Sequence, residues 1–308
     1  MFVKKIFIFF VLFLILNNFA KSQDIFIVAK VDKEIITNID IEIEKNYLLL
    51  LNDKLNKISK NEFFKLAKNS LIREIIKKKE IKKSFKKPNK EFKDKITKSF
   101  YNKFGFENKN DFINFLKTKN INFENLKEKL IVEAFWNQLI FIKYNNKIRI
   151  DESSIKNDVI KYFNSRDKKY EFNLSEIIID IDNDINLKKN EILKYVKEFG
   201  FKVAANKYSR SDTSKYGGEI GWIKSSRLTK SIQDHISNIK IGETTEPIQT
   251  SNGYLFLKLN DKREIKEEID IEKELKQQIE FEKNRQLNQF SLIYYKKVKK
   301  NTNIYESK

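Results

Sequence analysis

The chain has 308 residues, enough for two or three compact domains. Its 40% hydrophobic content, with 26 Phe, supplies a real core, while 34% charged residues argue against a multi-span membrane protein and only 2 Pro and 7 Gly favour helices over a turn-dense sandwich. Without Cys and with one His, disulfide frameworks, thiol chemistry and zinc sites have no residues to build on, and the net charge of +19 rests almost wholly on Lys, not on the Arg fork that base and phosphate recognition favours.

That charge comes with a surplus of Ile, Asn, Phe and Tyr, all residues with A/T-rich codons. It is read as composition and solubility, with no nucleic-acid partner. The N-terminus, MFVKKIFIFFVLFLILNNFAKSQD, has a basic pair at Lys4 and Lys5, an apolar run from Ile6 to Leu16, and a small-x-small site at Ala20-Lys21-Ser22. This is the pattern of a secretory signal peptide, residues 1–22. The run falls short of the ~20 residues a spanning helix needs. An uncleaved inner-membrane anchor facing the periplasm is the alternative, and either way the mature part is exported, to the periplasm of a double-membrane bacterium.

IFIVAKV (25–31) and IIT (35–37) read as a strand-like start, and Thr37 or Asn38 can cap the helix that follows. Helices are expected at about 39–56 and 61–83, then from Pro88 to Gly105, at 108–117, at 123–144 and from Asp151 to about Phe163. YEFNLSEIIID (170–180) is β-rich. A helix ending at Gly200, a short helix FKVAANKYS, a glycine loop, the helix LTKSIQDHISNI and a hairpin of EPIQ (246–249) with YLFLKLND (254–261) follow. This is a β-α-α-α-β-β unit. A long charged helix at about 263–298, with Ile271, Leu275, Ile279, Leu287 and Phe290 near one face, is expected to pack back on the N-terminal helices.

Three of the 7 glycines, Gly217, Gly218 and Gly221, crowd into one stretch, YSRSDTSKYGGEIGWI (208–223). With NLSEIII (173–179) and IKIGETTEPIQTSNGYLFLKLND (239–261), that stretch resembles the parvulin class of peptidyl-prolyl cis-trans isomerases. VDKEIITNID (31–40), NDFINFLKTKNINFENLKEKLIVEAFWNQLI (110–140) and the C-terminal helix resemble SurA-type outer-membrane-protein chaperones. The resemblance implies an α+β protein: a helical chaperone domain at 23–165, one parvulin domain at 166–262, and a helix at 263–308 returning to the first. No Gly-Lys-Ser/Thr follows the glycines, so a phosphate loop is set aside.

By that resemblance Gly217 and Gly218 allow the turn and Gly221 leaves room for a peptide. Parvulins pair an apolar proline pocket with a polar floor of two histidines and a Cys or Asp. Here the histidine positions fall at Glu176 and Leu255, and Asp212 is the counterpart of the Cys or Asp. The substrate pocket is expected from Ile220, Trp222, Leu228, Ile232 and Leu255. Twisting an amide needs desolvation and orientation rather than a nucleophile, so the altered floor argues against full isomerase activity and leaves two outcomes open, a weak isomerase and a loop kept as a peptide-docking wall. His235 reads as a surface helix residue. Asp180, Asp182, Asp184 and Glu191 have calcium-loop spacing, but Ile185 stands where that loop needs Gly, so an acidic turn with a helix cap is preferred.

Two readings stand. One is a folding factor for unfolded exported chains, with outer-membrane proteins as clients. The other is a periplasmic prolyl isomerase first, whose helical part presents substrate. Neither needs a cofactor, and the charge permits peripheral contact with anionic membrane.

Overall fold

The computed structural model describes residues 24–85, 90–164, 169–181, 184–250, 253–265 and 270–307. The expected signal segment (1–22) and Pro88 lie outside them. β1 (Ile27–Val31) and β2 (Glu34–Thr37) form an antiparallel hairpin. Thr37 then starts α1 (Asn38–Leu51) with a capping box: its hydroxyl accepts from the Asp40 N–H, and the Asp40 carboxylate accepts from the Thr37 N–H at 2.7 Å.

α2 (Lys60–Lys82), α3 (Lys90–Lys103), α4 (Lys109–Thr118), α5 (Phe123–Tyr144) and α6 (Glu152–Asn164) fall close to the expected bounds. Short polar caps set the starts. Ser59 accepts from Glu62, Asn108 from Asp111, Asn122 from Glu124, and Asp151 from the Ser154 N–H. α5 is the pillar of this part, buried through Leu126, Leu130, Phe135, Trp136 and Leu139.

The second part is β3 (Tyr170–Ile179), α7 (Ile185–Phe199), α8 (Phe201–Tyr208), β4 (Glu219–Lys224), α9 (Lys230–Ser237), β5 (Ile248–Thr250) and β6 (Gly253–Glu264). Its sheet is antiparallel in the order β4-β3-β6-β5. The α+β class stands, but the order is β-α-α-β-α-β-β. The expected β-α-α-α-β-β left out β4, because glycines made EIGWIK read as loop. In fact its backbone pairs Trp222 with Asn173 and Gly221 with Leu174. EPIQ is strand only from Ile248.

α10 (Ile271–Lys300) packs back on α5, α6 and α2, as its apolar positions predict. It starts later than expected because β6 continues to Glu264. Its anchoring residues lie toward its C-terminal end: Tyr294 stacks on Trp136 at 5.6 Å and Phe290 on Tyr144 at 4.7 Å, while Ile271 is exposed. The chain then adds β7 (Ile304–Glu306) to the first hairpin, giving the sheet β2-β1-β7. One apolar cluster runs from Val28 and Leu48 through Phe112 and Leu126 to Ile177, Ile192, Val203 and Phe256, so the two parts share a core.

Candidate active site

Strand alternation sorts β3 into two faces. Ile177 and Ile179 join the core shared with α7 and α8, while Phe172 and Leu174 face the other way, into a cluster with Ile236, Ile248, Leu257 and Leu259. Glu176 shares the face of Leu174, opposite Leu257. Leu228, Ile232 and Leu255 are half-buried on the same cluster. The sheet therefore brings Glu176 and this apolar trio to one face, under α9.

Glu176 is held from the α8–β4 turn. Its Oε1 accepts from the Ser211 hydroxyl at 2.7 Å and from the Thr213 hydroxyl at 2.9 Å. Burial pushes its carboxyl above the ordinary value, and the two hydroxyls oppose that only in part. A carboxyl so placed can keep its proton and offer it as a hydrogen bond to an amide being twisted. Gly218 brings the turn against the strand. Its carbonyl accepts from the Glu176 N–H at 2.8 Å, and its own N–H donates to the Thr213 carbonyl at 2.9 Å.

The remaining expected residues go elsewhere. Trp222 pairs with Asn173, so it points to the opposite face of the sheet, where the Arg263 guanidinium lies 4.2 Å from its ring. Ile220 sits exposed where the β3–β4 register shifts. Asp212 does not share the floor with Glu176. It faces the helical part, where its Oδ1 accepts from Lys77 Nζ at 3.0 Å and its Oδ2 from the Ser291 hydroxyl at 3.2 Å. Lys77 also donates to Glu133 at 3.0 Å, and the Trp136 indole N–H donates to Ser291 at 2.9 Å. Burial works to raise the Asp212 carboxyl, but the Lys77 charge, the Lys215 charge and the Lys77 hydrogen bond together hold it below its ordinary value. Asp212 thus ties the turn to α2 and α10, while its neighbours Ser211 and Thr213 reach Glu176.

His235 sits on α9 with Nδ1 2.7 Å from the Ser231 carbonyl oxygen, hydrogen-bonded to its own helix. Asp180 pairs with Arg210 and Lys296, Asp184 caps α7 at the Leu187 N–H, and Glu191 accepts from the Tyr208 hydroxyl at 2.8 Å. Asp182 lies outside the described residues. Among the described residues no cluster of His, Cys, Asp or Glu is placed to hold a metal. Sequence reasoning placed the polar position at Ser211-Asp212 and preferred Asp212, and it missed Thr213, although hydroxyls on either side of Asp212 were the available signal.

Glu176→Gln keeps an oxygen for both hydroxyls and removes the titration. The folded carboxyl holds its proton to higher pH than the unfolded one. Native protein therefore binds more protons between the two pKa values, and wild-type stability falls as pH rises from the ordinary 4.5 through the folded value. The variant is expected to be more stable than wild type at pH 7 and to lose that advantage below about pH 4. Urea unfolding at both pH values checks this, and an equal difference at both would count against it.

Fold and sheet face together define a parvulin-type module joined to a helical module. Residues 180–261 match the family model of the PPIC-type PPIase, or rotamase, domain. The chain is also similar to SurA chaperones. It is 26% identical over 154 residues to Chaperone SurA of Pseudomonas putida, covering 46% of this chain and 36% of that one. With Chaperone SurA of Pseudomonas aeruginosa it shares 28% identity over 126 residues, 38% of this chain and 30% of that one. The chain thus spans about a third of the length of these relatives. A solved structure from work on PEB4 and Cj1289, described as SurA-like chaperones of Campylobacter jejuni, aligns over 92% of this chain and 99% of its own at 18% identity and a TM-score of 0.38, which carries no further argument.

Proposed function

We propose that the protein is an exported folding factor that binds unfolded polypeptides and carries a weak prolyl isomerase in its parvulin module. The observation that carries this is one face of the sheet, which we read as the groove. A carboxyl held by two hydroxyls faces an apolar trio, Leu228, Ile232 and Leu255, on one sheet face. A proline ring buries against the trio while Glu176 offers a hydrogen bond to the amide as it loses planarity. The helical part offers exposed apolar side chains, Phe141 and Ile142 on α5 and Ile293 on α10, as anchors for extended chains. The similarity to SurA chaperones supports outer-membrane proteins as clients and the periplasm as the compartment. In this reading the parvulin-like domain is 166–262 and the floor residue is Glu176, with Asp212 acting from behind the turn.

Two assays test this. The mature protein is expected to hold a denatured β-barrel client in solution at stoichiometric amounts, and aggregation at the rate of the client alone would sink the chaperone half. Isomerisation of X–Pro tetrapeptides is expected above buffer, with Leu228→Ala lowering kcat/KM about tenfold, since truncation empties much of an apolar pocket. A rate equal to buffer would remove the isomerase half and leave the groove as a docking wall.

A further inference from the structure

Behind the groove, on the far side of the 212–216 turn, lies a cavity of about 330 Å³. It is walled by α1, α2 and α5 of the helical part and by α7, α8 and the turn of the sheet part. That volume falls within the range of small-ligand sites. Most charges lining it are matched. Lys129 meets Glu44 and Glu74, Lys207 meets Glu62 at 2.6 Å, and Lys215 meets Glu133 at 3.0 Å.

Arg73 is different. Among the described residues it has no carboxylate partner. Its Nη1 reaches the Ser214 hydroxyl at 3.5 Å, and its guanidinium stands 5.8 Å from the Tyr295 ring and within reach of the Tyr295 hydroxyl, so its contacts are to neutral groups. Lys65, Asn69 and Arg73 follow at four-residue steps on α2, so they share one helix face. Lys65 and Asn69 are exposed and Arg73 is half-buried, and all three line the cavity. Lys65 too lacks a carboxylate partner among the described residues.

The opposite wall carries Tyr195, only 7% exposed, whose hydroxyl has no partner of full hydrogen-bond geometry among the described residues, its one polar neighbour there being the Glu62 carboxylate that Lys207 already holds. Burial first, and the Glu62 carboxylate second, push that hydroxyl above its ordinary range, so it stays protonated and is a donor. Leaving such a donor poorly matched inside a protein is costly. Tyr47, Leu48 and Leu66 give the cavity an apolar side. The site therefore offers a planar cationic fork, a second cation, a buried hydroxyl donor and an apolar wall.

We propose that this cavity binds a carboxylate set beside an apolar side chain, as at the free C-terminus of a polypeptide. The guanidinium fork presents two parallel N–H groups to the two oxygens, Lys65 draws the charge in from outside, Tyr195 donates to it, and the apolar side chain lies on Leu48 and Leu66. The proposal rests on the polypeptide-binding reading only for the source of the ligand.

The test uses the full chain and three fluorescent hexapeptides without proline, so that the groove is not probed. One ends in Leu as the free acid, the second is its C-terminal amide, and the third is an amide with an Asp beside a Leu. The free acid is expected to bind at least about tenfold tighter than the amide, and Arg73→Gln to abolish the difference. Tyr195→Phe, which keeps the ring, is expected to weaken the acid severalfold and leave the amide unchanged. Tight binding of the Asp amide as well would support the same carboxylate site and add acidic side chains as its source. Equal binding of acid and amide to wild type would overturn the proposal without any variant, as would discrimination that survives Arg73→Gln. Equal binding in a protein that still holds denatured client in solution overturns this site alone, and failure with peptides and client alike overturns the folding-factor reading too.

Discussion

Lys77→Met is expected to cost about 3–5 kcal/mol of stability, the range for removing one partner from a buried ion cluster. Lys77 is 1% exposed, and its ammonium donates to Glu133 and to Asp212, each at 3.0 Å, and lies 5.3 Å from the Trp136 ring. Methionine fills the space of the stem but leaves two carboxylates facing each other. Glu133 keeps Lys215, while Asp212 is left with the Ser291 hydroxyl. Burial opposes the charge on all three groups, but mutual attraction wins: the Lys77 pKa is raised and the Glu133 and Asp212 pKa values are lowered.

The pH dependence follows in sign. Carboxyls held below their ordinary 4.5 and 3.8 contribute stability that is present above those values and lost as pH falls through the folded ones. Glu176 works in the opposite direction, so its titration masks part of the acid loss in wild type. Urea unfolding of wild type and Lys77→Met at pH 7 and pH 3 separates them: the gap between the two proteins narrows on acidification. An unchanged midpoint at pH 7 would show that the cluster is not what holds the parts together. Pairing Lys77→Met with Asp212→Leu is expected to recover part of the loss, because an apolar contact replaces an unpaired charge.

The helical part was legible because its signals are local. Short polar caps and three- and four-residue apolar steps lie within one segment, so α1, α2, α4, α5 and α6 start where Thr37, Ser59, Asn108, Asn122 and Asp151 place them. β7 carries no such signal. It is three residues long and exists through pairing with β1 at the far end of the chain. β4 was hidden by the glycines that serve it. Once it is read as loop, the alternation that turns Trp222 away from Leu228 and Ile232 is lost as well.

The candidate site divides along the same line. Leu228, Ile232 and Leu255 converge because hairpin register and helix spacing fix their faces. Asp212 was found on the chain but not in space. Which way a residue faces in a tight turn depends on its partner, and Lys77 stands 135 residues away. The same turn therefore does two jobs. Asp212 anchors it to the helices while Ser211 and Thr213 hold Glu176, so loosening the anchor reaches the groove through adjacent residues.

Gly218→Ala is expected to cost about 3 kcal/mol or more, from left-handed strain, forced overpacking and a lost hydrogen bond. At Gly218 φ is +78°, and an added Cβ would stand 2.2 Å from the Glu176 carbonyl oxygen and 3.0 Å from Ala205 Cβ. Neither obstacle is the end of a flexible side chain. The clash is relieved only by lifting the turn off β3, which breaks the 2.8 Å bond from the Glu176 N–H and withdraws Ser211 and Thr213 from the carboxylate. Gly221→Ala supplies the control. Its φ is +89° but nothing lies within 4 Å of the added carbon, so it carries the strain of about 1–2 kcal/mol without the collision. Thermal unfolding of both variants should therefore rank Gly218→Ala well below Gly221→Ala. If the proposed groove binds peptide, binding is expected to fall in Gly218→Ala, whose added carbon dismantles the floor around Glu176. Equal stability losses would mean that backbone handedness alone sets the need for glycine, and that close approach of the turn to β3 adds nothing.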